Sequence, residues 1–143
     1  EEEEKELHLA GFDKLPANME ERLKQARLYS RVKLHGFLNP EQIRVFYKQI
    51  DILVMPSLIE VWGMVAHEAR VGGTQVIISR QSGIAGELIG EEGVWVIEPT
   101  SKEIMLALDA GKFNRNVKLA PTKLETRTPQ EFASVVANLL KES

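Results

Sequence analysis

The feature that most constrains the fold is an alternation. Short apolar runs rich in β-branched residues are separated by helix-length amphipathic stretches, the pattern left by βαβ units wound around a mostly parallel sheet. The runs cover residues 7–10, 32–35, 52–55, 75–79 and 94–97. The middle ones are almost continuously apolar, as expected of strands covered by helices on both faces. The expectation is an α/β, Rossmann-like, mostly parallel β-sheet of about five strands with helices on both faces, a three-layer sandwich.

Helix starts carry their own chemistry. Asn39 is placed as an N-cap, Pro40 as the first helical residue and Gln42 as the partner that completes a capping box, which predicts a helix to about Gln49. Thr100 with Glu103, and Thr128 with Pro129 and Glu131, repeat the signal. The last of these helices is expected over 129–141, with Phe132, Val135, Val136, Leu139 and Leu140 on one face. The stretch 111–127 is polar, basic and without period, a surface connection. The glutamates at 1–4 read as a solvated end. The expected organisation is one domain over 1–127, with a C-terminal helix over 128–143 packed on it.

Composition excludes several classes. A chain that is 43% hydrophobic and 27% charged is neither disordered nor a membrane protein by composition. Its net charge of -3, with no basic stripe, argues against a nucleic-acid partner. The absence of cysteine removes disulfides, thiolate metal sites and cysteine nucleophiles, and is compatible with a cytoplasmic location, the cytoplasmic face of a membrane included. No apolar run has transmembrane length and no signal peptide is visible. His8, His35 and His67 are far apart in the chain, so no metal site is expected.

The informative stretch follows the third run: Pro56-Ser57-Leu58-Ile59-Glu60-Val61-Trp62-Gly63-Met64-Val65-Ala66-His67-Glu68-Ala69. It reads as strand, turn and helix, at the carboxyl end of a strand where open α/β sheets bind ligands. Gly63 lets a ligand approach the backbone, and the free amides of a first helical turn suit a phosphate. Glu60 and Glu68 are about 12 Å apart if the span between them is wholly helical. That is too far for one acid/base dyad. It suits two carboxylates that accept hydrogen bonds from hydroxyls at opposite ends of an extended ligand with a negative middle. Ser57 is placed to cap the turn or touch a phosphate, and Trp62 to pack or stack.

The pattern Pro-Ser-x-x-Glu-x-x-Gly-x-x-x-x-Glu-Ala, followed by Gly73-Thr74-x-Val76-Ile77 and Ser82-Gly83-Ile84, resembles the donor-binding domain of retaining glycosyltransferases of family 4, which have two Rossmann-like domains (the GT-B fold). Upstream, Val32-Lys33-Leu34-His35-Gly36-Phe37 and Asp51-Ile52-Leu53-Val54-Met55-Pro56 look like the same family's preceding elements, so the likeness covers about 7–97. It implies that Glu60, as the catalytic-site carboxylate, contacts donor-sugar hydroxyls and that Glu68 holds the ribose. Backbone amides of Trp62, Gly63, Met64 and Val65 hold the diphosphate, and Gly36, Phe37 and Leu38 line the base. The implied substrate is a nucleotide-diphospho-sugar. Neither metal nor other cofactor is implied.

Two departures accompany the likeness. The family usually has glycine where this chain has Val61, and a β-branched residue disfavours positive φ there. An Arg and a Lys that neutralise the diphosphate in the family are expected upstream of Glu1, as is the acceptor-binding domain, in the same or a separate chain. The residues 1–143 alone are therefore expected to be inactive. The alternative is a non-catalytic interaction or regulatory module of the same fold. A receiver domain is disfavoured because Asp51 precedes its strand, and a hydrolase because Gly-x-Ser-x-Gly is absent.

Overall fold

A computed structural model describes residues 5–111, 113, 118–122 and 130. The glutamate run and, Gln130 apart, the expected helix over 129–141 lie outside the described residues. The order of elements is β1 (Leu7–Leu9), α1 (Ala17–Gln25), a 3-10 turn (Tyr29–Arg31), β2 (Val32–Leu34), α2 (Pro40–Gln49), β3 (Ile52–Met55), α3 (Met64–Val71), β4 (Gln75–Ser79), α4 (Ala85–Leu88), β5 (Val94–Ile97) and α5 (Ser101–Ala110). The chain divides into two compact units, Glu1–Phe46 and Tyr47–Ser143, with the boundary inside α2.

In the first unit β1 and β2 pair in parallel, with Leu7 opposite Val32 and Leu9 opposite Leu34. The His35 amide continues the ladder by donating to the Leu9 carbonyl at 2.9 Å. That pairing brings together two histidines expected to lie apart. His8 Nδ1 and His35 Nε2 are 2.9 Å from each other, their rings stack with centroids 5.0 Å apart, and Phe46 meets His35 edge-on at 5.0 Å. A hydrogen bond between two rings needs one donor and one acceptor nitrogen, so His8 Nδ1 and His35 Nε2 take opposite roles at this contact. The hydrogen bond from His8, with the Lys33 ammonium beyond it, holds the Glu6 carboxyl below the usual carboxylate range. At the start of α2 both halves of the capping box form: the Gln42 amide donates to Asn39 Oδ1 and the Asn39 amide to Gln42 Oε1, each at 2.9 Å.

The second unit is built on β4. Its neighbours β3 and β5 both pair with it in parallel, Ile52 opposite Gln75 and Val76 opposite Val94. All five residues of β4 are buried. Successive side chains of a strand point to opposite faces, so a strand with no exposed position is covered on both. On one of those faces Ile77 packs with Ile97 of β5 and Ala107 of α5, and with the partly buried Ile52, Val54, Trp95, Ile104 and Phe113. The Trp95 and Phe113 rings meet edge-on at 4.8 Å. Helix α5 starts as its sequence predicts, Thr100 Oγ1 accepting from the Glu103 amide at 3.2 Å.

The fold is thus α/β and Rossmann-like, with every described strand pair parallel. The expected five strands are present, but they form a two-stranded and a three-stranded sheet. Periodicity fixes where strands occur. Which edges pair is set by contacts between residues distant in sequence, and periodicity carries no record of those.

Candidate active site

Between the end of β3 and the start of α3, residues 56–63 form an irregular loop at the carboxyl end of the sheet. The span from Glu60 to Glu68 is therefore not wholly helical, and the 12 Å spacing expected for a continuous helix does not apply. Its second half is a helix and its first half a strand-like turn. Glu60 makes a parallel bridge with Ser82, beyond β4. The Gly83 amide donates to the Glu60 carbonyl at 3.1 Å and the Ile84 amide to the Trp62 carbonyl at 2.8 Å. The Glu60 side chain turns back on its own loop, where Oε1 accepts from the Trp62 amide at 3.3 Å.

Gly63 closes the loop. It caps α3 in the left-handed region, φ 96° and ψ 45°, which costs a residue with a Cβ about 1 kcal/mol or more. It is also buried, and a Cβ there meets Met55 Cε at 2.8 Å, Glu60 Cγ at 3.4 Å and Ile84 Cγ2 at 3.4 Å. What presses on Gly63 is the protein's own side chains. Val61 does not share its conformation: among the described residues Arg27 is the non-glycine with positive φ. The valine therefore sits in this loop without backbone strain.

From Gly63 the amides of Met64 and Val65 enter α3 without intrahelical acceptors, as the first turn of any helix leaves them. Glu68 follows Met64 by four residues, which places it on the same helix face about 6 Å further along the axis. Met64, Val65 and Glu68 are exposed, whereas Ala66, Ala69 and Arg70 are buried. The orientation of α3 is held from its buried side, where Arg70 donates to the Glu92 carbonyl at 2.9 Å and the Ala120 carbonyl at 2.7 Å. On the exposed side the Tyr47 hydroxyl donates to Glu68 Oε2 at 3.4 Å, a long bond that leaves the carboxylate available to a ligand. Burial first, and then the Glu68 carboxylate, push the Tyr47 phenol up from 10.0 to about 12. Two polar atoms close by, Ser82 Oγ and His67 Nε2, are buried without a hydrogen-bond partner among the described residues.

The expected site residues therefore separate into two groups. Ser57, Glu60, Trp62, Gly63, Met64, Val65 and Glu68 all lie on the loop and first turns of α3 in the second unit. Gly36, Phe37 and Leu38 belong to the first unit, where Phe37 is 82% exposed just beyond β2. Trp62, placed by the sequence to pack or stack, is 43% exposed.

The family model for "Glycosyl transferases group 1" matches residues 1–118. This chain belongs to that family. An uncharacterised glycosyltransferase of Methanocaldococcus jannaschii is 32% identical over 105 residues, 72% of this chain and 27% of the relative. Among solved structures, a sucrose-phosphate synthase from Thermosynechococcus elongatus superposes with TM-score 0.59 at 28% identity, over 73% of this chain and 29% of that one. The C-terminal domain of a group 1 family glycosyl transferase from Francisella tularensis superposes with TM-score 0.58 at 29% identity, over 64% of this chain and 48% of that one. The chain thus spans under a third of the curated relative and about half of the solved C-terminal domain.

Within this group 1 glycosyl transferase chain the structure adds contacts that the sequence pattern does not record. Tyr47, seen in the sequence only as a helix residue, reaches Glu68. Its place on the α2 face with Phe46 could not identify that partner, 21 residues away. Ser82, which the sequence showed only as part of the family-like pattern, is the residue that bridges to Glu60. Among the described residues no three His, Asp or Glu side chains are grouped to hold a metal ion, and no helix is long and apolar enough to cross a membrane.

Proposed function

We propose that the chain is the donor-binding half of a retaining, metal-independent glycosyltransferase that takes a nucleotide-diphospho-sugar, works in the cytoplasm and is inactive without an acceptor-binding half. In this reading the diphosphate rests on the amides of Gly63, Met64 and Val65. Glu68, one helical turn along, accepts the ribose hydroxyls. Glu60, on the other side of Gly63, accepts hydroxyls of the sugar being transferred. The Trp62 amide joins the diphosphate only if Glu60 lets go of it.

The observation that carries the reading is the order of these groups. Carboxylate, amides and carboxylate follow one another along one loop and one exposed helix face, in the order sugar, diphosphate and ribose follow in the ligand. A helix N-terminus contributes about 0.3–1 kcal/mol per charge interaction at an exposed site, so most of the affinity must come from the two carboxylates and from the upstream cations the family supplies.

Calorimetry on the full-length enzyme with UDP-glucose, GDP-mannose and ADP-glucose tests this. One of the three is expected to bind, and Glu68→Ala to weaken it by about 10- to 100-fold, the loss of charge-assisted hydrogen bonds worth about 1.5–3 kcal/mol. Equal binding by wild type and Glu68→Ala contradicts the assignment of the ribose site. A second reading, an interaction module without transfer chemistry, is favoured by the exposed apolar run of Leu58, Ile59 and Val61 in the same loop. It predicts no binding of any of the three sugars.

A further inference from the structure

We infer that Gly83 is a positioning residue for the donor loop: its lack of a side chain lets the segment Ser82-Gly83-Ile84 dock flush against Glu60-Val61-Trp62 and so fixes where Glu60 and the entrance to α3 stand. The inference rests on the donor-site reading above and adds to it a residue that contacts no ligand.

The need for glycine here is one of space. Gly83 is not among the glycines with positive φ, so its backbone conformation is open to any residue. A Cβ at this position lies 2.1 Å from the Val61 carbonyl oxygen, 3.0 Å from the Val61 carbonyl carbon and 3.2 Å from Trp62 Cα. All three are backbone atoms, so no rotamer change relieves the clash. The two hydrogen bonds that flank Val61, Gly83 to Glu60 and Ile84 to Trp62, hold that carbonyl against the glycine.

The environment decides which side yields. Ser82 is 3% and Ile84 1% exposed, and α4 behind them buries Ala85 and Leu88. Across the bridge Ile59 and Val61 are each 90% exposed. A methyl group at position 83 therefore pushes the exposed loop outward and leaves the packed segment in place. Separating the two to ordinary contact takes about an ångström, and a displacement of that size in a positioned group costs up to about 100-fold in function.

The test uses the full-length enzyme with whichever of UDP-glucose, GDP-mannose or ADP-glucose it binds. Gly83→Ala is expected to raise the donor Kd and KM by about 10- to 100-fold, with a thermal midpoint within about 4 °C of the wild type. Gly86→Ala, on α4 where an added Cβ meets nothing within 4 Å, is the control and is expected to leave both unchanged. The double variant Gly83→Ala/Val61→Gly is expected to recover part of the lost affinity, since a glycine at 61 can turn its carbonyl away. Donor binding by Gly83→Ala within about twofold of wild type, while Glu68→Ala is impaired, overturns the positioning role and leaves the donor site standing. So does a loss that Val61→Gly fails to lessen. If Glu68→Ala binds normally too, the donor-site reading itself fails, and the inference with it. Should Gly83→Ala not fold, hydrogen exchange on the wild type decides: the Gly83 and Ile84 amides are expected to be protected, and exchange as fast as that of the Ile59 amide overturns the proposal.

Discussion

The two units of this chain are stabilised by different means. Among the described residues the first unit buries the apolar side chains of Leu15 and Phe46, and otherwise relies on local devices: a three-residue strand pair, the His8–His35 stack and the Asn39 capping box. The second unit owns a core. Val76, Ile77, Ile78, Ile84 and Leu88 are all buried in it, and β4 has no exposed residue. Each of those side chains contributes about 1.5–3 kcal/mol of hydrophobic stabilisation when fully buried. The lesson lies in where the candidate site is found. The carboxylates Glu60 and Glu68 sit on loop and helix segments anchored to the unit with the core, so the packed segments behind them set where both stand.

The largest expected effect breaks the second unit directly. Ile77→Ala is expected to destabilise it by about 2–5 kcal/mol, whereas Leu34→Ala on half-exposed β2 costs about 1 kcal/mol or less. Guanidinium unfolding followed by Trp95 fluorescence measures the first, and equal costs at the two positions erase the contrast between the units. A smaller effect sharpens the view of the first unit. Asn39→Ala removes half of the capping box and is expected to cost about 1 kcal/mol, read as faster amide exchange in the first turn of α2 with β4 unaffected.

The smallest effect is a pH dependence. Tyr47 has its pKa raised in the folded chain from 10.0 to about 12, so its stabilising contribution is fully present below about pH 10 and is lost as pH climbs towards 12. Tyr47→Phe is expected to flatten that part of the stability profile and to change little at neutral pH. Identical alkaline profiles for variant and wild type remove Tyr47 as the titrating group.

Much of the fold was legible because its signals are local. β3, β4 and β5 begin and end where the short runs read from the sequence do, and α2 and α5 start at their caps. β1 and β2 each stop one residue short of the expected end. Helix α1 carries no comparable signal: Pro16 stands at its N-cap without a side-chain hydrogen bond, and α1 has no buried residue to set a stripe. What stayed hidden is nonlocal. The meeting of His8 with His35 follows from a parallel pairing across 27 residues, and the bridge from Glu60 to Ser82 crosses all of α3 and β4. At the site, Glu60, Gly63 and Glu68 stood out by spacing. The left-handed cap at Gly63, the hold of Glu60 on the Trp62 amide and the reach of Tyr47 to Glu68 depend on how the loop folds against its neighbours, which spacing does not record.

In the proposed function a diphosphate lies against the first turn of α3. Nitrogen-15 NMR of the full-length enzyme labelled at methionine reads it at Met64, with Met105, exposed on α5, as an internal reference. Saturating nucleotide sugar is expected to move the Met64 amide resonance and leave Met105 in place. A bound nucleotide sugar that leaves Met64 unmoved contradicts it.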